Sequence, residues 1–327
     1  MIALLSFIFL LIVFIYIKSP RLSENEPPLV PYTIPVIGHT FSYLFNTENF
    51  MKKCLKEYGE PFNIIIFGRV TTVVAQKYLP EVTKAHENFD SFEVIKENDI
   101  LEFYMSQPNF DPSNVNYSYL ADLLIFLIVV GISTTGRSLA NLLFDYAGRP
   151  EYWDELYEEV STFNKECNGK FSLNDINKMI KLDSFIRESL RHTDDIIIAP
   201  RAVTTDHFSF SNGYTIPKGR NVFDFSDDCL YSESQYGSDS KSFKPFQFVS
   251  QNISASKVDR TYVIFGGGRH ACPGRFYAVL VLKLFLYNVI LKYHVRTENG
   301  NMPKKIMTGP FAIPPKESLI FEQRKET

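Results

Sequence analysis

The stretch Val263–Phe285, "VIFGGGRHACPGRFYAVLVLKLF", sets three glycines, two arginines, a histidine and a single cysteine in front of a long apolar run. Gly266, Gly267 and Gly268 let backbone approach a flat object closely or take positive φ without a Cβ clash. Pro273-Gly274 starts a helix directly behind Cys272, so free N–H groups and a partial positive charge point at the sulfur. Such surroundings favour a thiolate. Arg269, His270 and Arg275 add cationic partners for nearby carboxylates. Sulfur for the metal, glycines for the ring face and cations for the propionates together suit iron in a porphyrin. Taken alone, a cysteine beside a turn is more often structural; the combination tells against that reading.

Working outward, the chain of 327 residues is long enough to bury a large core, and 45% hydrophobic with 15% aromatic residues excludes disorder. A formal net charge of -3 gives no reason to expect nucleic acid as a partner. Cys54, Cys167 and Cys229 are scattered and share no paired motif with Cys272, so neither a zinc ribbon nor a disulfide framework is indicated. Residues 1–17 are apolar and uncharged, near the lower limit for a bilayer span. They lack the basic start and small-residue cleavage site of a secretory signal. Lys18 and Arg21 follow the apolar run, which places the remaining chain in the cytosol. Residues 1–17 therefore read as an uncleaved membrane anchor, residues 18–40 as a basic and proline-rich hinge acting as an extended strut, and residues 41–327 as one mostly helical domain.

Within that domain, "PFNIIIFGRVTTVVAQ" reads as a hairpin broken at Gly68-Arg69, and "YLPEVTKAHENF" as a helix with Pro80 in its first turn. From Leu120 to Tyr146 a long apolar segment predicts a buried central helix, because Asp122 and "STTGRS" cut its uninterrupted run short of bilayer width. Gly131, Ser133, Thr134 and Thr135 in its middle could open a groove against the backbone. "WDELYEEVSTF" and "LNDINKMIKLDSFIRESLRHT" also read as helices, with Glu188 and Arg191 on one face; spacing alone favours a solvated ion pair of little worth. "FSFSNGYTIPKG" turns at Asn212-Gly213. The stretch from Asp224 to Ser242 reads as an irregular meander ending at "FKPFQF". The run after Cys272 is a helix, followed by short strands.

These residues resemble a known family. "FGGGRHACPG" is similar to the haem-binding loop of the cytochrome P-450 superfamily, with Phe265, Gly268, His270, Cys272 and Gly274 filling the patterned places. "ESLR", "VGISTT" and "PPLVPYTIPVIGH" resemble the family's Glu-x-x-Arg helix, central-helix kink and proline-rich hinge, in the family's order. "RHACPGR" is similar to fungal microsomal members. The resemblance implies a mainly α fold with small β-sheets, preceded by one transmembrane helix. It also implies that the fold is incomplete: the interval from Asn88 to Leu120 is too short for the helices that cover the family's pocket, including the one whose Trp and Arg hold a propionate. Ile125, Leu127 and Val130 should then be exposed.

The roles implied by the resemblance follow residue by residue. Cys272 would be the axial thiolate of haem b, and Glu188 with Arg191 a buried pair bracing the haem loop. His270 and Arg201 would bind propionates. Thr134 would hydrogen-bond oxygen and relay protons, with Ser133 where the family carries an acid. Gln247 stands where a meander arginine normally joins the brace. The implied activity is insertion of one oxygen atom from O2 into a small lipophilic substrate (lipid, sterol or terpenoid-like) at the endoplasmic reticulum membrane, among membrane lipid. Electrons would come from an NADPH-dependent flavoprotein reductase. The alternative is a truncated, non-catalytic relative with weak or no haem binding.

Overall fold

A computed structural model describes residues 22–34, 37–84, 100–108, 110–173, 175–193, 195 and 200–324. The expected anchor, residues 1–17, lies outside the described residues. Among the described residues, five helices of twelve residues or more carry the fold: α1 (Thr47–Tyr58), α2 (Tyr117–Ala147), α3 (Trp153–Glu166), α4 (Ile180–Arg191) and α5 (Arg275–Lys292). The strands are short. β1 (Phe62–Ile66), β2 (Arg69–Val74), β3 (Arg201–Ala202) and β6 (Asn221–Asp224) form one sheet in the order β1-β2-β6-β3. β4 (His207–Ser209) pairs with β5 (Thr215–Pro217), β7 (Tyr293–Thr297) with β10 (Leu319–Gln323), and β8 (Ile306–Thr308) with β9 (Phe311–Ile313).

Local chemistry explains the turns. Phe67 and Gly68 both take positive φ between β1 and β2, the backbone a tight hairpin needs. Gly213 does the same between β4 and β5. Behind the hairpin β1–β2, Val30, Met51, Cys54, Phe62, Ile64 and Phe225 form one apolar cluster. A larger cluster joins the end of α2 to α3, α4 and α5 through Leu142, Leu156, Phe185, Leu282 and Leu286. Fully burying side chains of this kind stabilises by roughly 1.5–3 kcal/mol each.

Three expectations need correction. The hinge is not a free strut where it is described: Pro28 O accepts the Asn63 N–H at 2.7 Å, Val30 N–H donates to Asn63 O at 2.9 Å, and Glu26 pairs with Arg220. Asn63 also gives its side-chain amide to Pro27 O at 2.8 Å, so Pro27 and Pro28 lie along β1 as a pinned edge. The stretch from Asp224 to Ser242 is more regular than a meander, with short helices at Ser226–Leu230 and Glu233–Tyr236. The third correction concerns α2, which is buried only from Asn141 to Ala147. Its apolar N-terminal part is exposed all round: Ile125, Phe126, Leu127, Ile128, Val129 and Val130 are consecutive and each is at least 41% exposed. Six consecutive residues at about 100° per residue exceed a full turn, so every face is bare.

The reason lies in the preceding interval. Between Lys84 and Tyr117 the described residues supply only the six-residue helix Ile100–Met105, too little to cover a helix of 31 residues. Exposure of Ile125, Leu127 and Val130 agrees with the expectation drawn from the short interval.

Candidate functional site

Cys272 is exposed, whereas Cys54 and Cys229 are buried and Cys167 is half-buried. Burial pushes the Cys54 thiol up to about 11 and the Cys229 thiol well above its ordinary value, so both stay protonated. The loop holds Cys272 by its backbone: its N–H donates to Phe265 O at 2.7 Å, and its carbonyl accepts Arg275 Nη1 at 2.9 Å. Gly274 is the N-cap of α5, no side chain caps that helix, and a Cβ on Gly274 would sit 3.9 Å from the Cys272 sulfur. The thiol therefore stands at an uncapped helix start, as the sequence implies.

Gly266 and Gly268 take positive φ, one of the two uses expected of the glycines. A Cβ on Gly268, at φ +63°, would lie 2.3 Å from Thr83 O, and one on Gly267 would lie 3.1 Å from Thr83 Cγ2. The helix Leu79–Lys84 pressed against the loop demands glycine there.

The Glu188–Arg191 pair is buried, not solvated: its side chains are 0% and 1% exposed. Arg191 Nε and Nη2 donate to the two oxygens of Glu188 at 2.8 and 2.7 Å. Its Nη1 donates to Leu230 O at 2.8 Å and Ser240 O at 2.7 Å. Glu188 also accepts Lys244 N–H at 2.7 Å and Gln247 Nε2 at 2.8 Å, so Gln247 joins the brace with an amide in place of a guanidinium. Burial pushes the Glu188 carboxyl up, but hydrogen bonds from Arg191 and His192 outweigh it and hold it at about 2.

The link from this brace to the cysteine loop runs through a residue that the sequence reading missed. Arg187 is 1% exposed; it donates to Ser254 O at 2.9 Å, Lys257 O at 2.7 Å and Asp259 Oδ2 at 2.8 Å. The other Asp259 oxygen accepts Tyr262 N–H at 2.7 Å, directly before the loop. Its signal was present in the sequence: Arg187 lies four residues before Arg191 and so on the same face of α4.

The remaining expected residues sit apart. Arg201, half-buried in β3, pairs with Asp224 Oδ2 at 3.2 Å. His270 is exposed in the short turn Gly268–His270, and Phe265 packs against the larger core cluster. Ser133 and Thr134 lie on the exposed stretch of α2, each donating to the carbonyl four residues back at 2.7 Å, in a helix that runs unbroken. A Cβ on Gly131 or Gly136 would meet nothing within 4 Å, so backbone is open there.

Among the described residues no group of three or more His, Cys, Asp or Glu could hold a metal ion. An exposed thiol without companion ligands suits a metal that arrives with its other ligands in a ring. The residues present thus fit haem.

Residues 76–320 match the cytochrome P-450 family profile. The chain belongs to that family. Among its relatives, cytochrome P-450 monooxygenase ltmQ of Epichloe festucae var. lolii is 30% identical over 343 aligned positions, 94% of this chain and 63% of that protein. Cytochrome P-450 monooxygenase ccsG of Aspergillus clavatus is 35% identical over 216 residues, 63% of this chain and 43% of that protein. Pyrichalasin C-7 hydroxylase of Pyricularia grisea is 30% identical over 190 residues, 55% of this chain and 38% of that protein. This P-450 chain therefore spans between 38% and 63% of the length of these relatives.

Proposed function

We propose that this chain is a haem-thiolate monooxygenase acting on a small lipophilic substrate. The observation that carries the reading is the exposed Cys272 thiol at the uncapped start of α5, alone among the four cysteines in being open. Haem b held there would supply O2 activation, for a net reaction that puts one oxygen atom into the substrate and the other into water with two electrons and two protons, the thiolate favouring O–O cleavage. Cys272 would hold the metal, and His270 and Arg201 would bind the propionates. Phe265, Gly268 and Gly274 hold the shape of the loop around the sulfur. Thr134 Oγ1 donates to Val130 O and keeps lone pairs to accept a proton donor. With Ser133 where the family carries an acid, proton supply runs through hydroxyl and water.

Electrons come from an NADPH-dependent flavoprotein reductase. Residues 1–17 anchor the chain in the endoplasmic reticulum membrane, residues 18–40 form the hinge, and residues 41–327 the cytosolic catalytic domain. That the relatives are monooxygenases and a hydroxylase supports the class of reaction.

A second reading is favoured by one observation, the bare apolar length of α2. It makes the chain a truncated relative that binds haem weakly and does not oxygenate. The absorption spectrum of the reduced, carbon-monoxide-treated protein separates the two. A thiolate-type Soret band, lost in Cys272→Ser and kept in Cys54→Ser and Cys229→Ser, supports the oxygenase; an ordinary or absent band supports the relic.

A further inference from the structure

The bare stretch of α2 is self-complementary when its direction is reversed. Asp122 stands seven residues before Val129 and Arg137 seven after Val130; Phe126 stands three before Val129 and Ser133 three after Val130. Steps of three and four put all six on one face of the helix, within about 100° of its circumference. That face is open. Asp122 and Ser133 are exposed, Phe126, Val129 and Val130 are 61%, 58% and 41% exposed, and the Arg137 side chain is 33% exposed.

Turning the helix end for end about the midpoint between Val129 and Val130 exchanges Asp122 with Arg137 and Phe126 with Ser133. Two copies laid antiparallel on this face therefore set a carboxylate against a guanidinium at each end, and a large ring against a small side chain between them. Both ends have capacity for it. Asp122 has no hydrogen-bond or ion-pair partner among the described residues. Arg137 gives Nη1 and Nη2 to Asp195 at 3.1 and 2.7 Å, which leaves its Nε without an acceptor among them. The Ser133 hydroxyl donates to Val129 O at 2.7 Å, so it carries no unpaired donor into an apolar seam.

Lipid is the rival cover, since residues 125–130 are apolar on every face. It fits less well: residues 123–136, between the two charges, are about 21 Å long against a hydrocarbon core of about 30 Å. A bilayer would also leave Asp122 without a counterpart, which a second copy supplies.

We propose that two copies of this chain pair through α2, antiparallel about a two-fold axis between Val129 and Val130. Such a contact presents the same patch from both sides and closes on itself, so it makes a dimer and not a filament. Ile125, Ile128 and Ile132, also exposed, form a separate stripe outside the seam. The pairing needs no haem and goes beyond the oxygenase reading. Ser133 lies in the seam, so a second copy and a ligand on that turn exclude each other.

The test uses the full chain in phosphatidylcholine vesicles, with donor and acceptor fluorophores at the C-termini of separate copies. Energy transfer followed as lipid is added gives the dimer Kd. By symmetry each substitution acts twice. Asp122→Lys should raise the Kd at least about tenfold and Phe126→Lys at least about a hundredfold, while Ile128→Lys should change it less than about twofold. Register is read by disulfide formation in the Cys272→Ser background, which removes the exposed thiol. Differently tagged Phe126→Cys and Ser133→Cys chains should cross-link with each other. Neither should cross-link with its own kind, because like residues then lie about 10 Å apart along the axis, beyond disulfide reach. Absence of energy transfer in the parent chain, equal Kd values for Asp122→Lys and Ile128→Lys, or cross-links between like residues overturn the proposal. The first result leaves lipid as the cover, and the second places the contact elsewhere, such as residues 1–17. Should Phe126→Lys fail to fold by circular dichroism, Asp122→Lys against Ile128→Lys decides it.

Discussion

Gln247 offers the sharpest test of the brace, because its side chain has one defined partner there. Its Nε2 donates to Glu188 Oε2 at 2.8 Å, and the same oxygen also takes Arg191 Nε at 2.8 Å. A hydrogen bond to a charged acceptor is worth about 1.5–3 kcal/mol. Since Oε2 keeps Arg191 when Gln247 is removed, Gln247→Leu should cost about 1.5 kcal/mol, at the low end of that range. At about 2–4 °C per kcal/mol for a chain of this size, the melting temperature falls by about 3–6 °C. Gln247→Glu puts a second carboxylate against Glu188 and should cost more. Gln247→Arg replaces a neutral donor by a charge-assisted fork and should raise the melting temperature by about 1–3 °C. Thermal unfolding followed by circular dichroism gives the order Arg, Gln, Leu, Glu from most to least stable. The gap between Leu and Glu should narrow towards pH 2, where Glu188 takes up its proton. Gln247→Glu no worse than Gln247→Leu at neutral pH would refute the reasoning, and a loss in Gln247→Arg would mean that a second guanidinium cannot be accommodated beside Arg191.

Glu188 also sets an acid limit: its folded value of about 2 lies below the ordinary 4.5, so its contribution of about 3 kcal/mol is present above about pH 4.5 and is lost as pH falls towards 2. Glu188→Gln should be less stable at pH 7 and flatter across that window, in denaturant titrations at each pH. Gly268→Ala should destabilise by more than about 3 kcal/mol, because the new Cβ meets the Thr83 carbonyl at positive φ. Gly131→Ala, with nothing within 4 Å, should stabilise by up to about 1 kcal/mol; equal melting shifts in the two would count against the loop packing described. Ile125→Lys with Ile128→Lys should change the melting temperature little and reduce light scattering, whereas Leu142→Ala in the buried end of α2 should cost about 2–5 kcal/mol.

What the sequence made legible was mostly local. The turn at Asn212-Gly213, the hairpin at Gly68 and the helix behind Cys272 each depend on residues within a few positions of one another, and each is present as expected. The brace was not legible from spacing. Glu188 and Arg191 on one helix face fit a solvated pair equally well, and what buries them is a set of carbonyls 39 and 49 residues away at Leu230 and Ser240. The same holds for Asp195, whose partners at Arg137 and Ala312 lie in separate parts of the chain. The family resemblance supplied the long-range fact that pattern alone could not.

The central helix shows the opposite failure. An amphipathic helix announces its buried face through the period of its apolar residues, but residues 125–130 are apolar throughout and name no face at all. Uniform apolarity says only that water is a poor neighbour for every side. Whether protein covers those sides depends on the rest of the chain. Here the interval before Tyr117 is short, and the described part of it contributes one helix of six residues. Ser133 and Thr134 lie on the same bare stretch, and their hydroxyls donate to the carbonyls of Val129 and Val130. A ligand that covered this turn would have to draw those hydroxyls away from the backbone, so the bonds they now make are the first that substrate binding should change.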